Sequence, residues 1–161
     1  MKKYSIEIKW AIIFAIMTLL WMLLERLTGL HNEHIDKHAV CTNFIALPAI
    51  TVYVLALLDK RKNFYQGVMT YKQGFITGLF ITLLVTILSP LTQYIISTII
   101  TPGYFPNAIK YMVSEGKATQ ETAESYFNLK SYILQGLIGA VIMGLLTTTI
   151  VAIFTRRKSA D

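Results

Sequence analysis

Every histidine of the chain falls in one short run, His31-Asn32-Glu33-His34-Ile35-Asp36-Lys37-His38. On a helix, positions 31, 34 and 38 share a face, so three imidazoles with Glu33 or Asp36 beside them make a donor set suited to zinc or a similar divalent ion. The spacing is not that of a zinc-protease helix, in which two histidines four apart flank a glutamate base. The alternative is a solvated loop whose charge changes close to neutral pH. Apart from zinc at this run, no cofactor is implied. Four polar residues elsewhere, Glu25, Asn43, Gln93 and Gln135, form a second candidate group, whose meaning depends on the elements that place them.

Those elements are set by composition. Of 161 residues, 54% are hydrophobic and 15% charged, with a mean hydropathy of +0.52, whereas a soluble domain carries roughly 25% charged residues. The apolar residues form four blocks, 10–24, 40–58, 74–100 and 132–154. About 20 apolar residues cross a bilayer core as a helix; the first block reaches that length only by drawing in Ile6 and Ile8, or Leu27 and Leu30. Lys2 and Lys3 ahead of an apolar run imitate a signal peptide, but no small-residue cleavage site follows Leu24. The fold expected is all-α, a single four-helix transmembrane bundle with spans near 8–28, 40–58, 74–98 and 132–154. No histidine lies at mid-span, which excludes a haem bracketed inside the bundle. The single cysteine, Cys41, allows no internal disulfide.

Ten of the fifteen Lys and Arg residues fall in the N-terminal tail (Lys2, Lys3, Lys9), the 59–73 loop (Lys60, Arg61, Lys62, Lys72) and the C-terminal tail (Arg156, Arg157, Lys158). Six of the nine acidic residues lie on the opposite side. The positive-inside bias therefore predicts both termini in the cytoplasm. The net charge of +6 reads as an orientation signal and not as a nucleic-acid surface. Between the third and fourth spans, 104–130 predicts an external helical hairpin: Pro106 near the start of one helix, Gly116 stopping it, and Thr119 capping a second with Glu121 in its first turn. The second arm is expected to run unbroken into the fourth span.

At this topology Glu25, Asn43, Gln93 and Gln135 all sit toward the outer face. A ring of one carboxylate and three amides can line an outward-opening cavity; alternatively the four are hydrated at headgroup level, with Glu25 paired to Arg26 or a loop lysine. Small residues recur every four positions, Gly74, Gly78, Thr82 and Thr86 on the third span, Gly136, Ala140, Gly144 and Thr148 on the fourth. Such stripes let helices approach closely in lipid, so these spans are expected to pack on each other, or one stripe to form a homodimer. Pro48 and Pro90 each remove a helix hydrogen bond and clash with the carbonyls of Phe44 and Thr86, producing static kinks or a hinge. Lys60-Arg61-Lys62, followed by Phe64 and Tyr65, reads as an anionic-lipid contact or as topology-setting charge. Trp10 and Trp21 read as interfacial anchors.

The segment Tyr4 to Trp10, Gly29-Leu30-His31 with Ile35-Asp36-Lys37-His38, Met69-Thr70-Tyr71-Lys72-Gln73-Gly74-Phe75, Ser89-Pro90 and Gly116-Lys117-Ala118-Thr119-Gln120-Glu121 together resemble the bacterial family catalogued as domain of unknown function 4199. The resemblance covers nearly the whole chain. It implies a small four-span protein of the bacterial inner membrane, with a helical external segment between the last two spans, and supplies no activity or catalytic residues.

No catalytic motif is present. The reading drawn from the residues is a non-enzymatic envelope protein that acts by interaction, with the bilayer, a lipid, and a membrane-protein partner or second copy. A small carrier or ion-coupled transporter built on the outer polar group is the alternative, and a metal-dependent membrane enzyme the third.

Overall fold

The computed structural model describes residues 4–157; Lys2, Lys3 and Lys158 of the orientation argument lie outside them. Seven α-helices follow in order: α1 (Ser5–Leu27), α2 (Ile35–Cys41), α3 (Ala46–Asn63), α4 (Tyr71–Ile95), α5 (Tyr104–Ser114), α6 (Gln120–Tyr126) and α7 (Leu129–Thr155). A 3-10 turn, Thr42–Ile45, joins α2 to α3, and a π-turn, Ile96–Ile100, prolongs α4. Four continuous stretches, Ser5–Leu27, Ile35–Asn63, Tyr71–Ile100 and Leu129–Thr155, are long and apolar enough to cross a membrane. The chain is a multi-pass membrane protein with an all-α, four-span bundle, and its spans expose rows of large apolar side chains such as Leu134, Ile138, Ile142 and Ile150 on α7. A helix apolar all round suits lipid on its outer side.

With lipid outside, helices associate by close backbone approach, and the core is accordingly built on small residues. Ala11, Ala56 and Ala152 are at most 1% exposed and pack with Tyr53, Leu57, Ile81 and Val151. The α4–α7 contact is reciprocal. A Cβ built on Gly78 would lie 2.4 Å from Cγ2 of Thr148, and one on Gly144 would lie 2.4 Å from Cγ2 of Thr82. Each helix thus offers a glycine to the other's threonine, and Tyr53 of α3 reaches the same seam through a 2.9 Å hydrogen bond to Thr82. Gly74 meets Ala152 and Met69. The expected stripe does not extend to the start of α7: a Cβ built on Gly136 would meet nothing within 4 Å among the described residues, and Ala140 borders a cavity.

The helix ends explain themselves locally. Thr70 caps α4 through a capping box with Gln73, and Met69 just before it is fully buried and pairs its backbone with Arg157. Pro90 frees the carbonyl of Thr86, which the Ser89 hydroxyl then takes up at 2.9 Å. Pro48 sits in the first turn of α3, directly after the 3-10 turn that contains Phe44. This tighter winding, rather than a mid-helix bend, accommodates its ring. The 104–130 segment is a helical hairpin: Gly116 at φ +65° ends α5 and Thr119 accepts from the Thr122 N–H to begin α6. Its second arm does not continue into the fourth span, because the chain extends at Phe127 and Asn128, and the Asn128 side chain caps α7 by accepting from Ser131.

Candidate functional site

Glu25 lies in the last turn of α1, 2% exposed. The helix ends at Leu27 in a Schellman motif: Gly29, at φ +79°, donates to the Arg26 carbonyl, and Leu30 donates to the Glu25 carbonyl. That left-handed step suits glycine. It turns the chain back so that His31, also 2% exposed, places Nε2 3.1 Å from Glu25 Oε2. His34 donates its N–H to the Gly29 carbonyl and the chain then enters α2, which brings His38 Nε2 to 3.4 Å from the same carboxylate oxygen. The other oxygen, Oε1, accepts from the indole N–H of Trp21 one turn earlier.

The three histidines therefore do not share a helix face. Residues 28–34 form turns and α2 begins only at Ile35, so His34 is exposed and the third member of the buried group is Glu25. His31 Nδ1 and His38 Nε2 are buried without a hydrogen-bond partner among the described residues.

The hairpin closes over this group. Tyr104, the first residue of α5, lies 5.0 Å from the His31 ring and 4.9 Å from the His38 ring, measured between centroids. Its hydroxyl is 3.4 Å from His38 Nδ1 and 3.1 Å from the Tyr132 hydroxyl of α7. Burial holds the Tyr104 phenol above its ordinary value. Asn107 donates to the His31 carbonyl at 3.0 Å and to Asn32 at 2.7 Å. Arg26, adjacent to Glu25, turns away to donate to the Ile100 carbonyl at the end of the third span.

The expected ring of four polar residues is not assembled. Glu25 faces the histidines, and the amides satisfy themselves within their own helices: Asn43 donates to the Ala39 carbonyl, Gln93 to Ser97 and Gln135 to Ser131. Asn43 and Gln93 do border a cavity of about 560 Å³ in the half of the bundle that bears the hairpin. All four spans contribute to it, among them Phe14, Ala49, Leu88 and Met143, together with Thr18, Thr42, Ser89 and Thr92. Neither Glu25 nor Gln135 lines it. Its α7 wall runs from Gly136, Gly139 and Ala140 to Met143, Gly144 and Thr147, so Gly136 and Gly139 leave space, while Gly144 at the cavity's edge is already in the contact with Thr82.

At the other end of the bundle, the basic cluster is largely internal. Lys60 is 3% exposed, 2.8 Å from the buried carboxylate of Glu7 and 3.8 Å from the Phe64 ring centre. Arg61 donates to the Thr155 carbonyl, leaving Lys62 as the exposed cation of the three. A charge so buried requires a partner, and α1 supplies one in Glu7. Asp59 pairs with Lys9 and accepts from the Trp10 indole; both tryptophans thus hold carboxylates at opposite ends of α1. Glu7 and Asp59 escape a search for spans and basic clusters, because their partners lie about fifty positions away in sequence.

Comparison with known proteins adds one match: the family model described as Protein of unknown function (DUF4199) aligns with residues 9–157. No curated protein and no solved structure matches the chain. The matched span runs from the Trp10–Asp59 contact through the Glu25 group to the Met69–Arg157 pairing, with Glu7 and the first turn of α1 just ahead of it, and the chain belongs to this family.

Proposed function

We propose that this protein is a non-enzymatic accessory protein of the bacterial inner membrane, with both termini in the cytoplasm, that holds one membrane lipid by an acyl chain between its four spans. The observation that carries this reading is the cavity. At about 560 Å³ it falls within the roughly 300–1,000 Å³ of ordinary ligand sites. Its walls are mainly apolar, and Thr42, Asn43, Ser89, Thr92 and Gln93 gather polar atoms where α4 ends and α3 begins. An acyl chain satisfies the apolar wall, and the ester or amide region of the lipid meets the hydroxyls and amides. The surrounding solvent supplies such molecules at high concentration. A carrier for ions would need its carboxylate in the cavity, and Glu25 is directed elsewhere. The orientation rests on the basic residues grouped at the terminal end.

The test is native mass spectrometry after gentle detergent extraction, comparing the unaltered chain with Gly139→Leu. Gly139 borders the cavity and a Cβ built on it meets nothing within 4 Å among the described residues, so a leucine there projects into the space an acyl chain would take. One retained lipid per chain, lost or weakened in the variant, supports the reading. Equal lipid retention by both proteins would refute it. Reactivity of single cysteines placed at Gln66 and at Lys117, in a Cys41→Ser background, tests the orientation: labelling of the second alone by an impermeant reagent added to intact cells is expected.

A further inference from the structure

The group Glu25, His31 and His38 takes no part in lining the lipid cavity, and its arrangement asks for a different occupant. We propose that these three side chains bind one divalent transition-metal ion, zinc being the ion their chemistry fits best, at a site independent of the lipid reading. Two imidazoles and a carboxylate form a three-ligand zinc set, with a fourth position left to water. With metal–ligand distances of about 2.0–2.2 Å, neighbouring ligand atoms of a tetrahedral site lie about 3.3–3.6 Å apart. Glu25 Oε2 stands 3.1 Å from His31 Nε2 and 3.4 Å from His38 Nε2, and donor atoms of all three residues lie within 4.8 Å of one another. The metal therefore requires displacements of a few tenths of an ångström at the carboxylate and a modest approach of the rings.

A second observation points the same way. His38 Nε2 is buried and lies 3.4 Å from a carboxylate oxygen, yet makes no hydrogen bond to it or to any described residue. Buried polar nitrogens are nearly always partnered, and a cation between His38 and Glu25 supplies what a misaligned hydrogen bond does not. For Glu25 and His38 the outer contacts also suit ligation. Trp21 engages Glu25 Oε1 and leaves Oε2 to the metal, while the Tyr104 hydroxyl stands 3.4 Å from His38 Nδ1, the nitrogen whose N–H must find an acceptor once Nε2 is bound. His34 has no place in the site, since it is exposed.

Trp21 provides the readout. The chain has two tryptophans, so Trp10→Phe leaves Trp21 as the only tryptophan, excited selectively over the tyrosines and hydrogen-bonded to a proposed ligand. Chelator-stripped protein in detergent is titrated with zinc chloride while emission is followed, and bound zinc is counted by elemental analysis. Saturation at one zinc per chain is expected. His31→Ala and His38→Ala each weaken binding more than about a hundredfold, Tyr104→Phe weakens it about tenfold, as loss of an outer-shell partner does, and His34→Ala leaves it unchanged. Cobalt(II) bound to the unsubstituted chain gives the visible absorption of a four-coordinate nitrogen and oxygen site, an observation that does not depend on any variant folding. The proposal is overturned by absence of saturable zinc binding, by His34→Ala weakening binding as much as His38→Ala does, or by a cobalt spectrum of six-coordinate, solvent-exposed type.

Discussion

Replacing Gly78 by alanine tests the reciprocal α4–α7 seam most directly. The added Cβ would lie 2.4 Å from Thr148 Cγ2, 2.6 Å from its Oγ1 and 3.0 Å from its Cβ. Carbon pairs rest at about 3.5–4.0 Å, so relief demands roughly 1 Å of separation. Rotating Thr148 exchanges one close atom for the other, because both branches of its side chain point at the glycine. The helices must part or the backbones bend, and forced overpacking of this kind costs about 1–3 kcal/mol. Opposing it is the helix propensity gained on replacing glycine by alanine, at most about 1 kcal/mol. The net expectation is a loss of up to about 2 kcal/mol for Gly78→Ala, and the same for Gly144→Ala, which meets Thr82 identically. Gly139→Ala, on the same helix with nothing within 4 Å among the described residues, is the control and should be neutral or stabilising. Unfolding in mixed detergent micelles, followed by circular dichroism, measures all three. Thr148→Gly combined with Gly78→Ala should recover most of the loss, giving a coupling energy of opposite sign to the single effects. If Gly78→Ala unfolds with Gly139→Ala rather than well before it, the seam is not close-packed and the reasoning fails.

Other outcomes follow from the ends of the bundle and from the hairpin. Glu7→Gln removes the carboxylate that faces the buried Lys60 ammonium at 2.8 Å and should destabilise by about 3–5 kcal/mol, whereas Glu7→Leu with Lys60→Leu should cost far less; the same unfolding assay decides. Ser89→Ala orphans the Thr86 carbonyl and should cost about 1–3 kcal/mol, a penalty that disappears when Pro90→Ala restores the helical donor. Burial raises the Tyr104 phenol above 10.0, so its neutral form stabilises the docked hairpin below pH 10 and that contribution is lost as the pH rises through the higher folded value. Spectrophotometric titration should show one tyrosine fewer ionising late in Tyr104→Phe than in the unaltered chain.

What the sequence makes legible is whatever local pattern decides. Four spans follow from block length and lipid thickness, Gly78 and Gly144 from four-residue spacing of small side chains, and the ends of α5 and α6 from Gly116 and Thr119. The Thr70-x-x-Gln73 box is likewise a local signal, and it accounts for the Thr70 and Gln73 positions within the distinctive 69–75 segment. Pairings across the bundle are not legible in this way. Lys60 resembles an interfacial charge until Glu7, 53 positions earlier, is placed beside it. The histidine run misleads for a more local reason: periodicity assumes a helix through 31–38, while Gly29 ends α1 in a tight reversal and α2 starts late. Three histidines in one heptad-like pattern thereby become two histidines and the glutamate before the turn.

The glycine–threonine exchange between α4 and α7 has a mechanical consequence. Sliding one helix past the other by one turn in one direction sets Thr82 against Thr148; in the other it leaves Gly78 facing Gly144 across a gap and Thr82 against Ala140. Either step loses the fit, so the pair is locked in register like opposed ratchet teeth. Any large rearrangement of the bundle must then carry α4 and α7 as one rigid block against α1 and α3. The parting line of those two blocks runs through the cavity, making its width the coordinate along which the molecule can yield.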